Sequence, residues 1–265
     1  MNSLIIVVIL FGGFLLIHGE KVRCLFRDIY FGCPEDIYTY SDWYSMYSCD
    51  VETLPNPHND KSITGYTGNH NPSKNDLSVK GLWVHDKNTK YIPANIGHLF
   101  NLTAFAIYKA SLVEVKAENF HEMEDLEYLD LRYNRLAFIP TDALNSLKKL
   151  KYLLLSENRL QEFFNGAFTN NINLQYIHLD LNDIRFFGPT VFDGLTKLKS
   201  VVLASNICVS STYERESGIN HLKNEIKTKC VNPNSIETLT SQQSNKVQCC
   251  QICDFVDERA KLNAF

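Results

Sequence analysis

Between Leu102 and Cys208 the chain repeats one arrangement of apolar and polar positions five times, and Leu102, Leu126, Leu150, Leu174 and Leu198 open its units at a constant interval of 24 residues. Each opening reads apolar-x-x-apolar-x-apolar: Leu102, Phe105, Ile107; Leu126, Leu129, Leu131; Leu150, Leu153, Leu155; Leu174, Ile177, Leu179; Leu198, Val201, Leu203. Alternation of this kind sends flanking side chains to one face of a short strand and the middle one to the other. Four units continue with an Asn: Asn134, Asn158, Asn182 and Asn206. A tight bend inside a coil leaves backbone donors and acceptors unpaired, and one carboxamide supplies both kinds of partner. Further apolar positions recur at Leu112, Leu136, Leu160 and Ile184, at Val115, Ile139, Phe163 and Phe187, and at Phe120, Leu144, Phe168 and Phe192. These predict the far side of the same core. Ala110 replaces the first Asn, Asn171 stands where Met123, Leu147 and Leu195 stand elsewhere, and Val79, Leu82 and Val84 mark a degenerate earlier unit.

No single strand of this kind buries its apolar face alone, whereas stacking the units in parallel makes a continuous interior. The period and spacing resemble the leucine-rich repeat, whose units run to about 20–29 residues. The expected fold is therefore α/β: a leucine-rich-repeat solenoid with a parallel concave β-sheet, a disulfide-stapled N-terminal β cap and a C-terminal helical cap.

The flanking segments divide the chain further. Residues 1–19 carry no Lys, Arg, Asp or Glu, and Leu4–Ile17 is a fourteen-residue apolar run interrupted only by Gly12-Gly13. A bilayer-spanning helix needs about 20 apolar residues, and a shorter leading run reads as the core of a secretory signal cleaved after Gly19. A mature, secreted and soluble extracellular chain is the expectation. Residues 20–78 read as a Cys-containing cap, 79–207 as the repeats, 208–231 as a cap helix, and 232–265 as a linker with a Cys-rich tail. The helix rests on Ile219, Leu222 and Ile226 at helical spacing, with Lys223, Lys227 and Lys229 toward its C-terminal end. The eight cysteines, Cys24, Cys33, Cys49, Cys208, Cys230, Cys249, Cys250 and Cys253, bracket the repeats. Eight thiols allow about 105 pairings, which sequence leaves open. One staple per cap, Cys24–Cys49 and Cys208–Cys230, is the pairing expected here.

A more specific resemblance runs through residues 22–230. Tyr47-Ser48-Cys49-Asp50-Val51, then Gly68-Asn69-His70, Val79-Lys80-Gly81-Leu82 and Tyr91-Ile92-Pro93, lead into the repeats; Ser205-Asn206-Ile207-Cys208 and a helix ending in Cys230 close them. This order is similar to small secreted leucine-rich-repeat proteins of dipteran insects (flies, mosquitoes and midges). The resemblance implies an extracellular binding protein used in recognition and innate immunity. Cys33 has no counterpart in that pattern.

Composition narrows the chemistry. The net charge is −4, and residues projecting from the strands and their ends balance Lys80, Lys109, Arg132, Lys151 and Lys199 against Asp86, Glu127, Asp130, Glu157 and Asp180. Nucleic-acid binding needs concentrated basic surface, so no nucleic acid is expected. No Gly-x-Ser-x-Gly, His-Glu-x-x-His or phosphate-cradling glycine loop occurs. No catalytic, cofactor or metal residue is assigned, and no enzyme activity is expected; a hydrolase with a spatially assembled triad is the remote alternative. Cys250-x-x-Cys253 lacks the strand–helix context of a redox pair, and three tail cysteines fall short of zinc's four ligands. His85, His98 and His178 read as surface positions. Asn101-Leu102-Thr103 is a glycosylation sequon.

Function is expected on the concave face, where the middle residues of the strands form columns. One column runs Ala104, Tyr128, Tyr152, Tyr176, Ser200, and its neighbour Trp83, Ala106, Asp130, Leu154, His178, Val202. The ligand-binding set is Trp83, Tyr108, Tyr128, Asp130, Arg132, Tyr133, Tyr152, Leu154, Tyr176, His178 and Asp180, aimed at a protein ligand because Tyr, Trp and Arg dominate protein interfaces. The competing role for the tyrosines is to stack down the sheet, which contributes roughly 0.2–1 kcal/mol per cross-strand pair. The competing function is a structural extracellular component whose chains are cross-linked through Cys249, Cys250 or Cys253. A disulfide-linked dimer predicts a band of doubled mass on a non-reducing gel that collapses with reductant; a monomer under both conditions removes the inter-chain link.

Overall fold

The computed structural model describes residues 7–10, 13–16, 20–31, 44–54 and 63–230. Cys33, the linker and tail of 232–265, and Cys249, Cys250 and Cys253 lie outside the described residues. The chain divides into Met1–Cys230 and Val231–Phe265, and everything below concerns the first unit. In the apolar leading run, Val7–Leu10 (β1) pairs antiparallel with Gly13–Leu16 (β2). No helix among the described residues is long and apolar enough to cross a membrane.

Six strands run parallel through the centre of a ten-stranded sheet. They are Gly81–His85 (β6), Ala104–Tyr108 (β7), Tyr128–Asp130 (β8), Tyr152–Leu154 (β9), Tyr176–His178 (β11) and Ser200–Val202 (β13). The fixed interval makes each residue face its own counterpart: Ala104 stands opposite Tyr128, Tyr128 opposite Tyr152, Tyr152 opposite Tyr176 and Tyr176 opposite Ser200. Gly81 stands opposite Ala104, so the degenerate first coil is one residue shorter than those that follow. Inside, the repeat leucines are buried, and Phe120, Phe163, Phe168, Phe187 and Phe192 are fully enclosed. Phe163 stacks on Phe187 at 5.8 Å and Phe168 on Phe192 at 5.9 Å. Two short strands, Glu162–Phe163 (β10) and Phe186–Phe187 (β12), pair beside this aromatic spine.

The asparagines bind one coil to the next with the same three bonds each time. Asn158 accepts from the Leu136 N–H at 3.0 Å and donates to the carbonyls of Leu131 at 2.9 Å and Leu155 at 3.0 Å. Asn134, Asn182 and Asn206 repeat the arrangement on Leu112, Leu160 and Ile184. Ala110 carries no carboxamide, and its own N–H donates to Asn134 at 3.1 Å. Asn171, the other departure from the pattern, is fully enclosed and donates to the carbonyls of Leu144 and Leu147, both at 2.9 Å.

Both caps continue the sheet. Glu20–Phe31 (β3) and Tyr44–Thr53 (β4) form an antiparallel pair; β4 lies parallel to β6, and Ile63–Thr67 (β5) lies beside the start of β3. The Cys24–Cys49 disulfide ties β3 to β4. Gly68, at φ +147°, turns the chain away from β5, and a Cβ there would meet the Cys24 carbonyl oxygen at 2.4 Å. At the other end Thr212–Glu214 (β14) pairs antiparallel with β13, and the helix Arg215–Lys229 (α1) buries Ile219, Leu222 and Ile226. Cys208–Cys230 fastens the helix end to the last coil. Both expected staples are present. Replacing Asn158 with Ala orphans the buried Leu136 N–H at about 1–3 kcal/mol, while the Leu131 and Leu155 carbonyls keep the Asn134 and Asn182 carboxamides as donors. Urea unfolding is expected to show a loss of about 1–3 kcal/mol, and no loss would mean that this ladder bond is dispensable.

Candidate ligand-binding face

The outward columns form as the spacing predicts, and the N-terminal cap extends them. Trp83 pairs with Ala106 on one side and Asp50 on the other, and Asp50 pairs with Leu25. Val22, Cys24 and Phe26 point into the core, so Leu25 and Arg27 share the outward face with Trp83. Their alternation with the buried residues of β3 was the available signal, but only the pairing of β4 with β6 carries it into the columns.

The centre of the face is closed. Tyr128, Tyr152 and Leu154 are buried with Ala104 and Ala106 in an apolar cluster separate from the core, against which Ile29, Met46, Trp83 and Tyr176 pack. Tyr152 and Tyr176 stack at 5.0 Å with nearly parallel rings, and Tyr128 tilts against Tyr152 at 6.0 Å. The sheet-stacking role of these tyrosines is therefore realised. Beside them Asp130, with no exposed surface, accepts two parallel hydrogen bonds from Arg132, at 3.0 Å from Nε and 2.7 Å from a terminal nitrogen. Removing one partner of such a pair strands a buried charge, typically at a cost of 3–5 kcal/mol. Ser156 donates to buried Asp180. Its proton is thereby directed at a carboxylate rather than at an imidazole, which does not suit a serine nucleophile.

His178 is corrected by the structure. The sequence places it at the surface, yet it is 2% exposed, between Leu154 and Val202 in its column. Burial depresses its pKa to about 4, outweighing the upward pull of Asp180 and Asp130, while Arg132 adds to the depression. His85 and His98 do reach solvent.

The rim is where the face opens. Asp86, Lys109, Tyr133, Glu157, Leu181 and Ser205 follow successive strands, all in the left-handed region at φ between 51° and 59°. The N–H groups of the first five donate to a carbonyl of the next coil, from Asp86 to Tyr108 through Leu181 to Ala204. Sequence reading missed this because none of the six is Gly or Asn, the residues that mark such turns. Trp83 stacks with Tyr108 at 6.0 Å, Tyr108 meets Tyr133 edge-on at 5.0 Å, and the Arg132 guanidinium lies 5.7 Å from the Tyr108 ring centroid. Tyr133 is 39% exposed. Its hydroxyl bonds to Glu157, which with partial burial pushes its pKa up to about 12. At the cap, Asp50 pairs with Arg27 and lies 3.3 Å from His85, whose other ring nitrogen lies 3.3 Å from Asp86. No metal-binding group of His, Cys, Asp and Glu occurs among the described residues.

Two matches to the leucine rich repeat family model cover residues 100–160 and 150–206. Residues 100–206 are leucine-rich repeats. Repeats of this family typically serve as recognition scaffolds without enzymatic activity. No curated protein matches the chain. Among solved structures it is similar to a chain of a TLR13–ssRNA13 complex, with 26% identity and a TM-score of 0.46 over 50% of this chain and 19% of that one. It is also similar to a chain of an LRIM1/APL1C complex, with 17% identity and a TM-score of 0.48 over 60% of this chain and 29% of that one. The chain thus spans less than a third of either.

Between pH 6.5 and about 4 the unfolded chain holds a proton at residue 178 that the folded chain does not. Stability from this group is therefore complete above pH 6.5 and lost as pH falls toward 4, by roughly 3 kcal/mol in all. Urea unfolding of wild type and His178→Asn at about pH 7 and pH 4.5 is expected to show a smaller drop in the variant. Equal drops would mean that His178 is not held neutral by the fold.

Proposed function

We propose that this is a secreted leucine-rich-repeat protein that recognises a protein ligand through the rim and N-terminal part of its concave face, within insect extracellular recognition or innate immunity. The observation that carries the reading is the aromatic row Trp83–Tyr108–Tyr133, built on one rigid sheet and interleaved with Arg132, Lys109, Asp86 and Glu157. Such a row offers the residue types that dominate binding energy at protein interfaces. Its mixed charge suits a protein epitope better than a polyanion. The buried members of the expected set, Tyr128, Asp130, Tyr152, Leu154, His178 and Asp180, hold the sheet in shape; Tyr176 is half-buried among them. Secretion is supported by the apolar leader and by two disulfides, which persist in oxidising compartments. Asn101 is exposed beside β7, as an N-glycan acceptor requires.

The second reading, a structural component cross-linked through its tail, is favoured by Cys249, Cys250 and Cys253 near the chain's end. The two part company at the rim. Tyr108→Ala with Tyr133→Ala is expected to cut capture of the partner from extracellular fluid at least about tenfold, as interface aromatics do. Melting and disulfide-linked assembly are expected to stay unchanged. Undiminished capture by this variant would sink the rim as the binding surface and leave the structural reading standing.

A further inference from the structure

The short strands β10 and β12 form a two-stranded sheet of their own, apart from the concave strands. Phe163 and Phe187 point inward from it, so Glu162 and Phe186, which stand opposite one another, face outward. Phe138 precedes Glu162 by one 24-residue interval. Phe164 meets both of the other rings, Phe138 edge-on at 6.4 Å and Phe186 at 5.7 Å with the planes inclined by 54°. Phe138 and Phe164 remain 42% and 38% exposed, although Phe163, Phe168, Phe187 and Phe192 close by are enclosed. Glu162 is thus a carboxylate set among three rings. Burial pushes its carboxyl up, an effect that the field of Arg185 partly offsets. No hydrogen bond or ion pair from a described residue reaches its side chain.

The same flank shows what such a carboxylate ordinarily has beside it. Two intervals earlier the corresponding positions hold Glu114 and Lys116, with the ammonium 3.7 Å from the carboxylate. In the coil of Glu162, Phe164 takes the place of that lysine. The acid is kept, its cation is gone and an exposed ring stands in its stead. Aromatic faces attract cations in their own right, so an internally paired site has become one that a cation from outside completes.

We propose that Phe138, Glu162, Phe164 and Phe186 form a docking site for an arginine side chain of a partner polypeptide, on a different flank from the concave face. Charge complementarity selects a cation. The carboxylate calls for N–H donors, which a quaternary ammonium lacks. Flat rings suit the guanidinium, which is planar, weakly hydrated and able to give a carboxylate two parallel hydrogen bonds. A polypeptide source is supported by exposed Ala137 and Val113, one interval apart in the adjoining column, which continue the apolar surface beyond the reach of one guanidinium.

The test is an NMR titration of the full disulfide-bonded chain with its phenylalanines isotope-labelled. The probes are acetylated, amidated peptides Ala-Leu-X-Leu-Ala, in which X is Arg, Lys, trimethyl-lysine or Gln, and acetyl-argininamide. The ring signals of Phe138, Phe164 and Phe186 are expected to shift saturably with the Arg peptide and to stay in place with the Gln peptide. Glu162→Gln is expected to raise the dissociation constant up to roughly fivefold, as loss of an exposed ion pair allows. Phe164→Leu keeps apolar bulk without a ring face and is expected to do the same. Melting is expected to hold in both, since one side chain is unpaired and the other exposed. Arg185→Gln is expected to lower the constant by removing the chain's own competitor for the carboxylate, an effect that a merely structural role would not give. No shift with the Arg peptide, equal binding of the Gln peptide, or an unchanged constant in both Glu162→Gln and Phe164→Leu overturns the site. Tighter binding of the Lys or trimethyl-lysine peptide overturns the choice of guanidinium, and equal affinity for acetyl-argininamide overturns the polypeptide source.

Discussion

From the coil of Asn134 onward, each coil of this protein carries backbone groups into its interior, and one carboxamide per coil pairs with them. The Oδ1 of Asn134, Asn158, Asn182 and Asn206 takes an N–H of the preceding coil, and each Nδ2 gives to carbonyls of both coils. These bonds require the same offset every time. A constant interval therefore fixes strand register, the leucine layers and the alignment of the outward columns. The apolar interior supplies most of the driving force for folding, but apolar contacts are non-directional and would tolerate slippage. Hydrogen bonds with one geometry do not.

How far the sequence could be read follows from that division. Periodic features were legible: the parallel strands, the enclosed Phe163 and Phe187, the columns through Tyr152 and Asp130, and the cap helix over Ile219, Leu222 and Ile226. Features set by what lies across a surface were not. His178 occupies an outward position held by Trp83, Ala106, Asp130, Leu154 and Val202 in the other coils, and only the packing around it excludes water. Leu25, Arg27 and Asp50 join the face because β4 happens to pair with β6, a contact that no local pattern encodes. The shortened first coil was hidden because its spacing matches the later units everywhere except in length.

Charge is used differently at the two depths of the face. Asp130 and Arg132 are withdrawn from solvent and satisfy one another, so their contribution is to fix side-chain position and the field around His178. The groups around His85 and Asp86 remain in water, where pairing contributes little to stability but leaves charge available for approach and orientation. A packed, hydrogen-bonded floor with a polar and aromatic border suits recognition, because little has to be ordered when a partner arrives.

The left-handed turns have a consequence of their own. Asp86, Lys109, Tyr133, Glu157, Leu181 and Ser205 display an acid, a base, an aromatic, a second acid, an aliphatic and a hydroxyl from one and the same backbone shape. The conformational penalty at such a site is smallest for Asp and Asn and steepest for β-branched side chains, none of which occurs here, so unbranched residues can exchange there at modest cost. The border thus behaves as a keyboard of equivalent keys, on which substitution can respell specificity without retuning the scaffold beneath.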